Sequence, residues 1–383
     1  MFILWIVTFV LCLVSVLMVD RLSITISSIP TIKPQIEQTS HLVIEILLLT
    51  ATFLLLTDNR TGVDIINYHN WFMRDESIAG REVLYTLLRN YAHVCGMNFY
   101  MFRALVSFVS CLIPVFLLRK EKQNIAFFLA IYLPSLLFFD SMQFRNQIAI
   151  CIIIGGSFLL VKKDNIKNKI IFVLIVALAM QFHTFAIAYL VFIFVCSKYK
   201  KIWGYFFLIM GALLLVITLV NNRSVPLVDV LYSWILSSVD TRAYKYSFGH
   251  NIFLYPTAVH IFTTILSEYS LLWWNKNLNN QMLFQYRYVQ FINSVNKMFF
   301  IFIPFILMNT TFYRLLRNMF VFNIIAVGFS YRICSNQGVR LLLFTGLLFI
   351  SILWIAFAVF FYSTSEIIID PVLKDGVLFF ISE

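Results

Sequence analysis

Residues 162–201 read KKDNIKNKIIFVLIVALAMQFHTFAIAYLVFIFVCSKYKK, and this stretch decides how the chain is threaded through a membrane. Its apolar part, 170–197, has 28 residues, which is too long for one typical span and too short for two. Lysines lie on both sides of it, and the positive-inside rule places both lysine clusters in the cytoplasm. We therefore predict two short, re-entrant-like helices that turn near Gln181–Thr184.

The rest of the chain repeats this alternation of apolar runs and short polar gaps. It is 61% hydrophobic and 12% charged, with a mean hydropathy of +0.87. A soluble domain is about half apolar and about a quarter charged. Because irregular backbone cannot face lipid, each apolar run is predicted to be a helix. The further runs are 2–19, 41–57, 99–118, 123–140, 146–161, 202–220, 252–274, 298–313, 319–334 and 340–361.

These runs predict an all-α polytopic membrane protein with about 12 transmembrane helices, two of them short and re-entrant-like. Residues 1–383 then form a single integral membrane domain with both termini outside and with outer loops at 58–98 and 221–251. The net charge of +11 reflects basic loops, since no soluble basic segment exists to bind nucleic acid. The six cysteines lack CxxC spacing, so neither a metal site nor a cofactor is predicted.

Arginines and lysines are distributed differently over this topology. Ten of the fifteen arginines fall on the outer side, against two of the fourteen lysines. Arginine carries a planar guanidinium that binds phosphate or carboxylate with two hydrogen bonds, whereas lysine acts as a point charge. The asymmetry therefore predicts an anion site on the outer face.

The two outer loops carry different signals. Leu84, Leu88 and Tyr91 follow helical spacing, which predicts an interfacial helix in the first loop. Arg74, Arg81 and Arg89 in that loop are expected to meet lipid headgroups. The second loop combines aromatic and charged residues, which suits either sugar binding or an aromatic belt at the membrane surface.

Arg145 and His183 are the first candidate site residues. Arg145 opens the run 146–161, where a charge either snorkels to the headgroups or needs a buried partner. His183 lies at the predicted re-entrant turn, where it is either a hydrogen-bonded core residue or a proton-transfer group. Their placement on one face favours the functional interpretation of both.

A second group of charges surrounds the other outer turns. Arg314 and Arg317 are one helical turn apart near Asn309–Asn318, and such a pair repels itself unless an anion lies there. Asp64 and Tyr68 lie at positions i and i+4 in the first loop. Arg60 and Glu82 flank them. Each of these charges is alternatively a solvated loop residue. Glu268, inside an apolar run, is expected to pair with an arginine.

These motifs resemble the EpsG family of Wzy-type polysaccharide polymerases. The resemblance rests on Arg60-Thr61-Gly62-Val63-Asp64 with Tyr68, Phe72 and Glu82, on Phe144-Arg145-Asn146-Gln147-Ile148-Ala149, on Ala179-Met180-Gln181-Phe182-His183, and on Phe312-Tyr313-Arg314. It covers roughly 58–330. The second motif reads Arg-Asn-Gln where Arg-Gln is commoner, so Arg145 is the expected ligand there.

The resemblance implies a GT-C-like polymerase in the bacterial cytoplasmic membrane. Such an enzyme joins polyprenyl-pyrophosphate-linked oligosaccharide repeats at the outer leaflet, and the bilayer, a flippase and a chain-length regulator are its implied partners. We expect metal-independent transfer, with arginines stabilising the pyrophosphate and a histidine or carboxylate acting as base. The expected catalytic residues are His183, Asp64 and Glu82, and the expected substrate-binding residues are Arg145, Arg314, Arg317, Arg60 and Tyr68.

Three other functions are compatible with parts of this pattern. A ligase that moves finished polysaccharide onto another acceptor uses the same donor and similar outer arginines. A lipid-linked oligosaccharide flippase or another transporter predicts charges through the depth of the spans and broken helices in paired halves. A membrane acyltransferase with a histidine base leaves the outer arginines unexplained.

Overall fold

The polypeptide is helical throughout the part that the structure describes. The computed structural model describes residues 1–25, 34–73, 82–196, 199–220, 253–276, 283–308, 310–362 and 369–374, and these ranges contain no β-strand. The predicted all-α class is confirmed for them. In chain order the helices are α1 (Phe2–Thr25), α2 (Pro34–Thr57), α3 (Val63–Met73), α4 (Val83–Val94), α5 (Phe99–Lys120), α6 (Ile125–Tyr132), α7 (Leu136–Met142), α8 (Phe144–Lys162), α9 (Ile166–Met180), α10 (Phe192–Val195), α11 (Lys200–Val220), α12 (Leu254–Lys276), α13 (Leu283–Phe299), α14 (Ile303–Met308), α15 (Tyr313–Ile333), α16 (Gln337–Phe357) and α17 (Asp370–Leu373).

Asparagine side chains start four of these helices. Asn98, Asn124, Asn165 and Asn336 precede α5, α6, α9 and α16, and each side-chain oxygen accepts a hydrogen bond from the backbone N–H three residues later. An N-cap of this kind satisfies one of the N–H groups that a helix start leaves unpaired. The polar gaps between the apolar runs therefore define where the helices begin.

Five segments of the described part are long and apolar enough to cross a membrane. A bent pair, α6 with α7, counts as a sixth if it forms one span. The chain is thus a multi-pass membrane protein, whereas the count of about 12 crossings stays a prediction. The five segments are Phe99–Lys120, Phe144–Lys162, Ile202–Val220, Leu283–Leu307 and Gln337–Phe360, and shorter apolar helices cover Phe2–Leu17, Leu42–Thr57 and Thr184–Val195.

The run predicted as one helix at 123–140 is broken in the middle. Pro134 separates α6 from α7, and the two helices make an angle of 75°. Proline lacks the N–H that would continue the helix, so carbonyl groups before it lose their partners. Ser351 Oγ donates to Ile131 O at 2.8 Å and Trp5 Nε1 donates to Leu133 O at 3.1 Å. These two side chains make the break tolerable inside an apolar bundle.

The hairpin predicted for 170–197 is present, with its turn at the predicted place. Helix α9 ends at Met180, residues 181–183 form the turn, and a 3-10 helix, Thr184–Val191, leads into α10. The 3-10 helix packs back against α9. The backbone therefore returns towards the end from which it came.

Helix boundaries in the late part of the chain differ from the prediction. We predicted spans at 298–313 and 319–334, but one span runs from Leu283 to Leu307 and α15 already begins at Tyr313. The segment that forms α13 was not predicted to be a span because it contains many polar residues. Asn296 is buried there and exchanges two amide hydrogen bonds, of 2.8 and 2.9 Å, with Asn323 of α15.

The predicted arginine partner of Glu268 is wrong. Glu268 Oε2 lies 2.8 Å from Lys297 Nζ and accepts a hydrogen bond of 2.7 Å from Asn293. The lysine comes from α13, whose helical extent was not recognised in the sequence.

Arg103 anchors the start of the first large loop to the bundle. Its guanidinium is buried in α5 and donates to the carbonyl oxygens of Leu56 at 2.9 Å, Ser141 at 2.6 Å and Asn59. These carbonyls end α2, open the following loop and end α7. One cation therefore ties three chain segments together where no regular hydrogen-bond partner exists.

We expect Arg103→Met to lower the free energy of unfolding by about 3 kcal/mol, because three buried carbonyls lose their donor. Thermal unfolding of the purified protein in detergent measures this. Arg119→Met is the matched control on the same helix, since Arg119 is 46% exposed and pairs with Glu45 at 3.4 Å. An exposed pair of this kind contributes up to about 1 kcal/mol. Equal losses in the two variants would contradict the anchoring role.

Candidate active site

Seven of the eight predicted site residues come together at one end of the helix bundle. Helix α3 carries Asp64 and Tyr68, Glu82 directly precedes α4, and Arg145 lies in the first turn of α8. The turn after α9 supplies His183, and the start of α15 supplies Arg314 and Arg317. The lysines that end α5 and α8, Lys120 and Lys162, mark the opposite end of the bundle.

Arg145 is buried and has a carboxylate partner. Its Nη2 forms an ion pair with Glu82, and its Nε donates a hydrogen bond of 3.1 Å to the carbonyl of Phe182. The guanidinium also lies over the rings of Tyr85, at 4.8 Å, and Tyr68, at 5.4 Å. The buried partner predicted for Arg145 is therefore Glu82. Arg145 also fixes the turn that carries His183, the candidate base.

Arg314 and Asp64 form a second, more open pair. Arg314 Nη2 lies 3.9 Å from Asp64 Oδ2, with the two side chains 16% and 34% exposed. This separation exceeds hydrogen-bond range, so the attraction is electrostatic. Asp64 also lies in the first turn of α3, where a negative charge is favoured by the helix dipole. Among the arginine–carboxylate contacts of the site, this one is open to a ligand.

Arg317 is closed off from solvent beneath Arg314. Its Nη2 donates to Gln143 and Asn318 at 3.1 Å each, and it lies 3.9 Å from Asp140. Within the described residues, its Nε and Nη1 are buried without a hydrogen-bond partner. From this position Arg317 acts on a ligand through its charge, and direct contact requires the cover above it to open.

The three arginines are thus each matched by one carboxylate. This corrects the argument that Arg314 and Arg317 repel each other unless an anion binds, because Asp64 and Asp140 already balance them. The cluster therefore holds paired charges at two loose contacts, where an anion can exchange with a carboxylate.

His183 lies in the turn after α9, outside the candidate membrane spans. Its Nδ1 is buried and lacks a hydrogen-bond partner in the described part of the chain. Burial of the imidazole, reinforced by the positive charges of Arg314, Arg145 and Arg317, lowers the pKa of His183 well below its ordinary 6.5. The side chain is therefore neutral at pH 7 and able to accept a proton.

Arg60, the eighth predicted site residue, faces Tyr100. Its guanidinium lies 4.7 Å from the centre of the Tyr100 ring. Its positive charge favours the ionised form of Asp58, a buried acidic side chain that was not predicted from the sequence. Neither Asp58 oxygen has a hydrogen-bond partner among the described residues, and burial raises the pKa of Asp58 to about 7. The sequence feature that could have identified Asp58 is its position directly after the apolar run 41–57.

Asn146 and Asn318 connect the two arginine-bearing helices. Each side-chain amide donates to the oxygen of the other, at 3.1 and 3.0 Å, and both residues are buried. The same Asn318 oxygen accepts from Arg317. The pair therefore fixes α8 against α15 and explains why the residue after Arg145 is an asparagine.

The first large loop contains two helices where one was predicted. The predicted interfacial helix corresponds to α4, while α3 was not recognised. Arg89 is buried in α4 and donates to the carbonyl of Trp71 at 3.3 Å, so the expected contact with headgroups is wrong for it. Arg74, Arg81 and loop 221–251 lie outside the described residues.

A comparison with protein families covers most of the chain. The model of the EpsG family matches residues 42–369. The chain belongs to the EpsG family. The EpsG match includes every candidate site residue, from Arg60 to Arg317, and the helices that carry them. No curated protein and no solved structure matches the chain significantly. EpsG membership indicates a polysaccharide-polymerase type of role for a glycosyltransferase-like enzyme.

Proposed function

We propose that this protein polymerises polyprenyl-pyrophosphate-linked oligosaccharide repeat units at the outer leaflet of the bacterial cytoplasmic membrane. The observation that carries the proposal is the convergence of three arginine–carboxylate pairs around His183. About 12 crossings, a GT-C-like architecture and a site facing outward belong to the same proposal. The arginine-rich end of the bundle is then the outer end.

The reaction transfers a growing glycan from its carrier to the next repeat unit. A hydroxyl oxygen of the acceptor sugar forms a bond to the anomeric carbon of the donor, while the bond from that carbon to the pyrophosphate breaks. The leaving polyprenyl pyrophosphate keeps the electron pair. Arginine charges stabilise the negative charge that develops on it, so the transfer proceeds without a metal ion.

The hydroxyl proton goes to His183 or to Asp64. The Nδ1 atom of His183 has no hydrogen-bond partner in the described structure, and a neutral imidazole nitrogen has a lone pair that can accept a proton. A bound pyrophosphate offsets the surrounding arginine charges, which makes the imidazole more basic when substrate is present. If the pyrophosphate also pairs with Arg314 in place of Asp64, the partly exposed Asp64 carboxylate becomes the alternative base.

Glu82 and Tyr68 have supporting roles in this scheme. Glu82 pairs with Arg145 and so holds the guanidinium in place. Tyr68 lies under the same guanidinium, with Asp64 one helical turn away. Its hydroxyl suits a sugar contact next to the pyrophosphate, and Arg60 borders the same loop.

Deletion of the gene separates the proposed function from its rivals. We expect the deletion to leave carrier-linked single repeats on the outer side and no long chains, and the wild-type gene to restore them. Gel analysis of surface polysaccharide, with extraction of the carrier-linked pool, measures both. Polymer stranded on its carrier would instead indicate a ligase, and single repeats held on the cytoplasmic side would indicate a flippase.

A further inference from the structure

An apolar cleft runs beside the candidate active site. It lies between α2, α5, α6 and α8, and its cavity volume is about 100 Å³. Leu49, Phe53, Val115 and Ile154 are among the apolar side chains that form its walls. Pro114 of α5 also lines it, and a proline inside a helix loosens the local backbone packing. The cleft is therefore a groove for an apolar chain.

The cleft follows the helices, and one part of it lies next to the arginine cluster. Along α8 it extends from Gln147 to Ile154, about 10 Å at the usual helical rise. Asp140 lines it and pairs with Arg317 at 3.9 Å. Val321 lines it as well, one helical turn after Arg317 on α15. The charged residue of the lining is thus Asp140, and its ion-pair partner Arg317 has two nitrogen atoms without a hydrogen-bond partner in the described structure.

We propose that this cleft binds the first isoprene units of a polyprenyl carrier while the attached pyrophosphate lies at the arginine cluster. The inference rests on the proposed function and names the place of the carrier chain. An apolar groove beside a cluster of cationic groups matches an amphiphile with an apolar tail and an anionic head. An isoprenoid bears a methyl branch on every unit, so it needs a wider groove than the straight acyl chain of a phospholipid.

Photo-crosslinking of the full-length protein in lipid nanodiscs tests the assignment without requiring catalysis. The probe is a polyprenyl pyrophosphate with a diazirine on one of its first isoprene units, and a phosphatidylglycerol with a diazirine in its acyl chain is the comparison probe. We expect the isoprenoid probe to label 49–56, 111–118 and 147–154, as read by peptide mass spectrometry. The phospholipid probe should label mainly the exposed faces of the same helices.

Filling the cleft should remove the label. We expect Leu49→Trp on α2 and Val115→Trp on α5 each to reduce isoprenoid labelling about tenfold or more, because the ring replaces the chain in the groove. Leu47→Trp and Leu112→Trp are the matched controls on the same helices, with side chains 63% and 48% exposed outside the cleft. We expect both controls to label like the wild type.

Three outcomes overturn the inference: label confined to other segments in the wild type, undiminished label in both filled variants, or displacement of the probe by phospholipid alone. The wild-type label pattern decides the case even if a tryptophan variant fails to fold. If the cleft is not labelled but the deletion strain still lacks long chains, the polymerase proposal stands. If the purified protein is labelled in the cleft but the deletion strain still makes normal polymer, only the polymerase proposal is overturned.

Discussion

Arg145→Ala is expected to abolish long-chain polymer and to lower the transfer rate about 100- to 1,000-fold. The substitution removes a positive charge from the arginine cluster. It also removes the donor to the Phe182 carbonyl at 3.1 Å, which holds the turn that carries His183. Arg145→Lys keeps the charge without the guanidinium geometry, so we expect partial activity. The length distribution of surface polysaccharide and transfer by purified protein measure both effects.

A matched variant separates this chemical effect from misfolding. Arg145→Ala alone leaves Glu82 as a buried charge without its partner, which is costly in itself. The double variant Arg145→Ala with Glu82→Gln removes that charge and should restore the membrane level to that of the wild type. We expect the double variant to remain inactive. Recovery of long chains in it would show that Arg145 only compensates Glu82.

His183→Ala is expected to lower the transfer rate about 100- to 10,000-fold, which is the range for loss of a general base. The protein should stay in the membrane, because Nδ1 has no hydrogen-bond partner to lose in the described structure. His69→Ala is the control, since His69 lies on α3 and stacks on Tyr100 with ring centres 5.7 Å apart. An active His183→Ala together with an inactive Asp64→Asn would assign the base to Asp64.

The pH dependence gives an independent check on His183. A base must be neutral to act, and a lowered pKa means that the neutral form persists until the pH falls through that lower value. The acidic limb of kcat/KM should therefore lie below pH 6.5, with a flat profile from there to pH 7.5. A limb at or above pH 6.5 would contradict histidine as the base of the free enzyme.

The local features of the chain were predictable because they depend on nearest neighbours. Lysines on both sides of 170–197 predicted a hairpin, and the structure has its turn at 181–183. The length and spacing of apolar residues likewise predicted α4 and most of the long helices. The break at Pro134 was not predicted. It depends on whether Ser351 and Trp5 satisfy the freed carbonyls, and both come from distant parts of the chain.

Most of the charged residues that meet at this end of the bundle could be selected from the sequence, but their pairing could not. An arginine at the start of an apolar run predicted a buried acidic partner. The sequence could not show that this partner is Glu82, because it contains many other acids. Arg103 was missed because its partners are backbone carbonyls, which every residue has. Asp58 was missed because an acid after a span normally meets water, whereas here the fold buries it.

Composition, periodicity and the contrast between lysine-rich and arginine-rich gaps were enough to establish a helical membrane protein with cationic candidates at one end. These properties follow from the free energy of placing each residue type in lipid, water or the interface between them. Folding decided which carboxylate faces which arginine and that Arg317 is buried while Arg314 is open. Those outcomes depend on contacts between residues up to 250 positions apart, as for Asp64 and Arg314, and no local pattern encodes them.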